Sequence, residues 1–218
     1  MGLFARLFRL IWGVDVEPAL RPLLAVSFVG SAAFSAGWSF VGIWAIEELG
    51  AASRQLGVAY LSAAVAGFAA ANPALVMLFQ LRVTRWTSGW PAGPKLATAM
   101  LLMGWSLLFL LVDGSVAMFL VVVFVFVVGE MLWVPTSQAI VARLAPEDLR
   151  GAYMGAFGSM SAVGFALGPF TGLQLRGAYG DDAAWYFFAA VSLVAAATGA
   201  AAVRGAARRR VTPATVGY

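Results

Sequence analysis

Residues 115–142 read SVAMFLVVVFVFVVGEMLWVPTSQAIVA, a run with no basic residue and a single acid, Glu130. A helix needs about 20 apolar residues to cross a hydrocarbon core about 30 Å thick, so this run can span a membrane. It is too long for a strand and lacks strict alternation. Outward from it, five further runs carry no charged side chain at all: 22–46, 57–81, 96–112, 151–175 and 183–203. With 115–142 as the fourth, these make six expected spans. The expected fold class is an all-α membrane protein with six transmembrane helices.

Composition points the same way. Of 218 residues, 62% are hydrophobic and 11% charged, and the mean hydropathy is +0.88. Soluble domains carry about 25% charged residues, and less than half of that cannot coat a water-facing surface. A soluble enzyme and a disordered chain are both excluded. The chain has no Cys and no His. Disulfides, thiolate zinc sites, iron–sulfur clusters and the imidazole base therefore drop out. No nucleophile–base pair or metal-ligand cluster stands in the sequence, so the expectation is no enzyme, no cofactor and no metal.

Basic residues set the orientation. With the N-terminus in the cytoplasm, the inner side receives Arg6, Arg9, Arg21, Arg82, Arg85, Lys95, Arg143, Arg150, Arg204, Arg208, Arg209 and Arg210. The outer side receives only Arg54 and Arg176. This asymmetry obeys the positive-inside rule and puts both termini in the cytoplasm. The net charge of +4 follows from arginines that flank spans and line no single face, so nucleic acid is not an expected partner. Three regions result: an amphipathic cytoplasmic lead-in over 1–21, the six-span domain over 22–203, and a basic cytoplasmic tail over 204–218. In the lead-in, Leu3, Phe4, Leu7, Leu10 and Ile11 interleave with Arg6 and Arg9, which suits the inner leaflet; the alternative is a short cytoplasmic segment that only helps orient the first helix. Trp86, Trp90 and Trp185 lie near span ends and read as interface anchors. Asp181-Asp182 reads as a solvated turn, and Glu147 and Asp148 as acids opening the fifth helix.

The spans differ in polarity. The third and sixth are almost wholly apolar, and their Ser and Thr side chains can bond back to their own helix, so both can face lipid. The first carries Ser27, Ser31, Ser35 and Ser39 at i, i+4 spacing. Small polar residues let helices approach closely, so the stripe reads as packing, with a substrate-lining face as the alternative. The second span is interrupted at Asn72-Pro73, where proline removes a backbone donor. The fifth answers with Gly164, Gly168, Pro169 and Gly172, a groove another helix can enter. Each proline lies in the second helix of its triplet, and the two helices run in opposite directions. That pattern marks a 3+3 inverted repeat of the kind secondary transporters use.

Glu130 is the one charge inside a span. A carboxylate there costs at least a few kcal/mol unless it is protonated, paired or wetted. No Lys or Arg lies in the spans to pair with it. Ser137 and Gln138, at i+7 and i+8, share its face, and Pro135 sits at a kink beside it. Asn72, at similar depth, is the expected hydrogen-bond partner. Two roles stay open: a proton carrier or contact for a cationic substrate, and a structural acid that locks its helix to its neighbours.

Three motifs carry a family resemblance. Gly129-Glu130-Met131-Leu132-x-x-Pro135, then Ala145 to Gly155, then Gly164-x-x-x-Gly168-Pro169 resemble the tenth and eleventh helices of the major facilitator superfamily. The nearest resemblance is to its bacterial proton-coupled multidrug exporters. Gln80 to Trp86 resembles their link from helix eight to helix nine, and the resemblance runs from about Asn72 to Val203. Arg21 to Gly50 looks more like the family's first helix, which suggests an internal deletion with a seam near Gly67–Ala71, or else a natural half-length transporter. The family's cytoplasmic gating motif is absent; Arg82 to Lys95 stands in its place without an Asp or paired glycines.

The resemblance implies one six-helix half of a bundle in a bacterial cytoplasmic membrane, exporting small lipophilic molecules against protons by alternating access. Glu130, Asn72, Ser137 and Gln138 would then serve coupling or substrate. Ser31, Ser35, Pro73, Pro135 and the groove of Gly164, Gly168, Pro169 and Gly172 would serve packing and gating, with Arg82, Arg85 and Arg150 as cytoplasmic anchors. One half encloses no pathway, so a homodimer or a second half is the expected partner, beside the bilayer itself. The alternative is a transport-incompetent fragment or a membrane-embedded interaction partner.

Overall fold

The computed structural model describes residues 21, 23–32, 34, 35, 58–113 and 115–211. Among them every regular element is helical and no strand occurs. We label the helical residues between 21 and 35 α1. The others are α2 (Val58–Trp86), α3 (Ala92–Trp105), α4 (Val116–Leu144), α5 (Arg150–Tyr179) and α6 (Asp181–Val211). Four described segments are long and apolar enough to cross a membrane: Ala92–Leu111, Ala117–Leu144, Glu147–Tyr179 and Asp181–Ala201. The lead-in, the later part of the first expected span with Ser39, and the end of the tail lie outside the described residues.

The helices outrun the charge-free runs. α2 continues past Leu81 to Trp86, and α6 past Val203 to Val211. A charge-free run marks the hydrocarbon, whereas backbone hydrogen bonding continues into the headgroup layer. The third run, the shortest in sequence, is lengthened twice. Its helix begins at Ala92, and Ser106–Leu111 follows as a 3-10 helix. A 3-10 turn rises about 2.0 Å per residue against about 1.5 Å in an α-helix, so Ala92–Leu111 reaches about 33 Å and clears the core.

The connections from α3 to α4 and from α5 to α6 are tightly made. The Ser115 hydroxyl accepts from Met118 N at 3.2 Å, and Asp113 Oδ1 accepts from Ser115 N at 2.9 Å. This cap serves amide groups of α4's first turn that have no partner within the helix. Only Gly180 separates α5 from α6, at φ 84°, where a Cβ would be strained. The Arg176 guanidinium pairs with Asp181 across that corner. The expected solvated turn at Asp181-Asp182 is corrected accordingly. Both acids lie in the first turn of α6, where negative charge offsets the helix dipole.

The third and sixth spans keep exposed apolar faces, as expected, and also pack closely on each other. α3 lies chiefly against α6 and α4. A Cβ at Gly104 would strike Ser192, while Leu96 lies against Gly199, so α3 and α6 run antiparallel at close range. Leu96, Met100 and Met103 of α3 and Trp185, Phe188 and Ala195 of α6 are buried; only outer faces bearing Trp105, Tyr186 and Val194 are exposed. An apolar side chain carries the same signal whether it meets lipid or another helix. The distinguishing signal is the small residues Gly93, Gly104 and Gly199. Ser106 and Ser192 do bond back, to Met103 O and Ala189 O. Trp185 is only 2% exposed and packs with Leu107, Phe119 and Val122, so it is a core residue and no interface anchor. Trp86 and Trp90 are exposed, with ring centroids 5.8 Å apart.

Candidate functional site

Two helix pairs meet through polar side chains. The first is α1 with α5. Ser27 Oγ lies 2.6 Å from Ser161 Oγ and donates to Phe157 O at 3.3 Å, and Ser35 donates to Phe165 O at 2.7 Å. The order of partners makes α1 and α5 parallel. Gly164 leaves no room for a side chain between them, since a Cβ would strike Phe28 O and lie 2.9 Å from Ala32 N. Ser27 and Ser35 thus join the two helices, a use small polar residues have between membrane helices. Ser31 is buried against this seam with no partner for its hydroxyl, and Trp133 Nε1 is likewise unpaired. Gly168 and Gly172 continue the buried stripe of α5.

The second pair is α2 with α4. Gly129 is pressed onto α3: a Cβ there would lie 2.7 Å from Met103 Cγ and 2.9 Å from Ala99 O. Seating α4 this closely on α3 turns the next residue away from it. Glu130 is half-buried, and Asn72 Nδ2 of α2 donates to its Oε2 at 2.8 Å. A neutral amide supplies a hydrogen bond without cancelling charge. Among the described residues no cation pairs with this carboxyl.

One turn on, Pro135 lies inside α4 and leaves Met131 O without its intrahelical amide. Gln80 Nε2 of α2 donates to that carbonyl at 3.1 Å, and to Thr84 Oγ1 on its own helix at 3.1 Å. The motif around Gln80 signals only a link between helices, so the residue is absent from the expected site. The usable signal is the proline, because a freed carbonyl in a span demands a donor from somewhere.

Over 62 residues, 28% of the chain, the sequence is 37% identical to an uncharacterised MFS-type transporter of Methanocaldococcus jannaschii. The similarity is to a membrane transporter. The chain spans 16% of that relative's length. No family model and no solved structure matches the chain. The helical, strand-free architecture of the described residues is that of a multi-pass membrane protein, and the partial similarity to an MFS-type transporter is consistent with it.

Two expected site residues stay apart from Glu130. Ser137 is buried and donates to Val134 O at 3.1 Å on its own helix, while Gln138 is exposed. Seven or eight residues put them on a similar face but about 11 Å further along the axis, beyond reach of the carboxyl. Pro73 and Pro169 lie inside α2 and α5 as expected. Arg82 and Arg85 are exposed near the end of α2, and Arg150 is exposed at the start of α5. Arg82 also donates to Leu78 O and sits 6.0 Å over the Phe79 ring. Phe34 joins α1 to α4 and α5 through Phe126 and Phe165, at centroid distances of 5.3 and 5.2 Å.

Proposed function

We propose that the chain is one six-helix half of a secondary transporter that exports small lipophilic molecules by alternating access, driven by a proton gradient. The observation that carries this reading is Glu130, held by neutral Asn72 inside a membrane-crossing helix with no cation beside it among the described residues. Intramembrane carboxyls are costly and mark ion or substrate paths. Asn72 can serve both protonation forms, because its amide donates to a carboxylate and its carbonyl accepts from a carboxylic acid. The carboxyl can therefore gain and lose a proton without losing its neighbour.

The pairing of helices supports the 3+3 inverted repeat. In such a repeat the first helix corresponds to the fourth and the second to the fifth. The α1–α5 contact then maps onto the α4–α2 contact. Both are joined by side-chain bonds, both include a proline-bearing helix, and α3 and α6 meet each other as the remaining pair. On this reading Ser31, Ser35 and the Gly164–Gly172 stripe form one moving seam, and the Glu130 turn forms the other. Arg82, Arg85 and Arg150 anchor the cytoplasmic ends in a bacterial inner membrane. A second copy or another six-helix half completes the cavity.

The test is Glu130→Gln in a drug-accumulation assay, with membrane expression checked in parallel. Proton-dependent export is lost if Glu130 couples it. Unchanged export would remove Glu130 from that role.

A further inference from the structure

We propose that Gln80 is the positioning residue for Glu130. Its side-chain amide replaces, from α2, the hydrogen bond that Pro135 removes from α4, and so fixes the carboxyl-bearing turn. This rests on reading Glu130 as the working group of the transporter.

Met131 directly follows Glu130, so the freed carbonyl and the carboxyl belong to one turn of α4. Both receive donors from the same helix: Asn72 serves Glu130 Oε2 and Gln80 serves Met131 O. The Gln80 amide nitrogen has two hydrogens to give. One goes to Met131 O and the other to Thr84 Oγ1, which orients the amide toward α4. A backbone carbonyl without a donor is costly inside a membrane. At a proline the helix cannot supply that donor itself, so for this backbone carbonyl α4 depends on α2. Gln80 thereby sets how closely the Glu130 turn sits against Asn72. When α2 and α4 part, the carbonyl and the carboxyl are uncovered together.

A double-mutant cycle on the purified chain in detergent tests this. Pro135→Ala restores an amide at position 135, which can then serve Met131 O within α4. Gln80→Leu alone lowers the Tm by several degrees. It also shifts the pH at which Glu130 titrates, read as the Tm difference from the same variant carrying Glu130→Gln across the neutral range. In the Pro135→Ala background, Gln80→Leu changes neither quantity. Equal losses in both backgrounds overturn the proposal. If Gln80→Leu alone does not fold, recovery of folded protein on adding Pro135→Ala supports the proposal, and failure to recover overturns it. No arm uses transport, so the cycle can hold even where Glu130→Gln leaves export unchanged, which would sink the transport reading alone.

Discussion

Glu130 owes its setting to its neighbours in sequence. Gly129 lets α4 press onto α3, and Pro135 opens the backbone one turn later, so the carboxyl lies between a tight contact and a loosened one. Asn72→Leu removes the one donor to it among the described residues. Bonds between side chains in membranes average about 0.6 kcal/mol and reach about 1.7 kcal/mol. The expected loss falls in that range, measured by thermal unfolding in detergent, together with weakened proton-dependent export. No loss of either would show that the bond is dispensable. The Asn72–Glu130 pair was legible because the spans hold one acid and the chain one Asn. Ser137 and Gln138 share the face of Glu130 without reaching its carboxyl, because helical spacing gives the angle of a side chain and says little about its height. Gln80 was hidden because a carbonyl orphaned by proline leaves no letter of its own in the sequence.

Between helices, glycines decide the outcome. Gly164 faces the backbone of α1, whereas Gly158 on the same helix has nothing within 4 Å of where a Cβ would stand. Gly164→Ala should therefore overpack the seam and cost about 1–3 kcal/mol. Gly158→Ala should be neutral or stabilising by up to about 1 kcal/mol, since alanine is the better helix former. Unfolding of the two variants side by side checks the contrast, and equal effects would refute the α1–α5 packing. Span positions were readable from charge-free runs because hydrocarbon excludes unpaired charge. Which faces meet lipid was not, since lipid tails are as apolar as leucine and give no sorting signal. The central pairing of α3 and α6 could be read only from small residues, and those occur in every span.

For the assembled protein, the exposed apolar faces bound what can surround it. Met77, Leu78 and Leu81 on α2 and Leu120 and Phe124 on α4 stand outward, a surface only lipid or another membrane helix can cover. A half-transporter reading predicts cross-linked dimers in native membranes, and a strictly monomeric chain would contradict it. The positive-inside asymmetry predicts that labels on both termini react from the same, cytoplasmic side. Labelling needs no prior removal of thiols, because the chain has no Cys. The overwound end of α3 adds an elastic property. Rewinding Ser106–Leu111 to α-helical pitch would shorten the rod by about 3 Å and rotate its tip by about a third of a turn. Thin lipid would favour the shorter form and thick lipid the longer, and because Ser106–Leu111 touches α6, a change of pitch there would be met by α6.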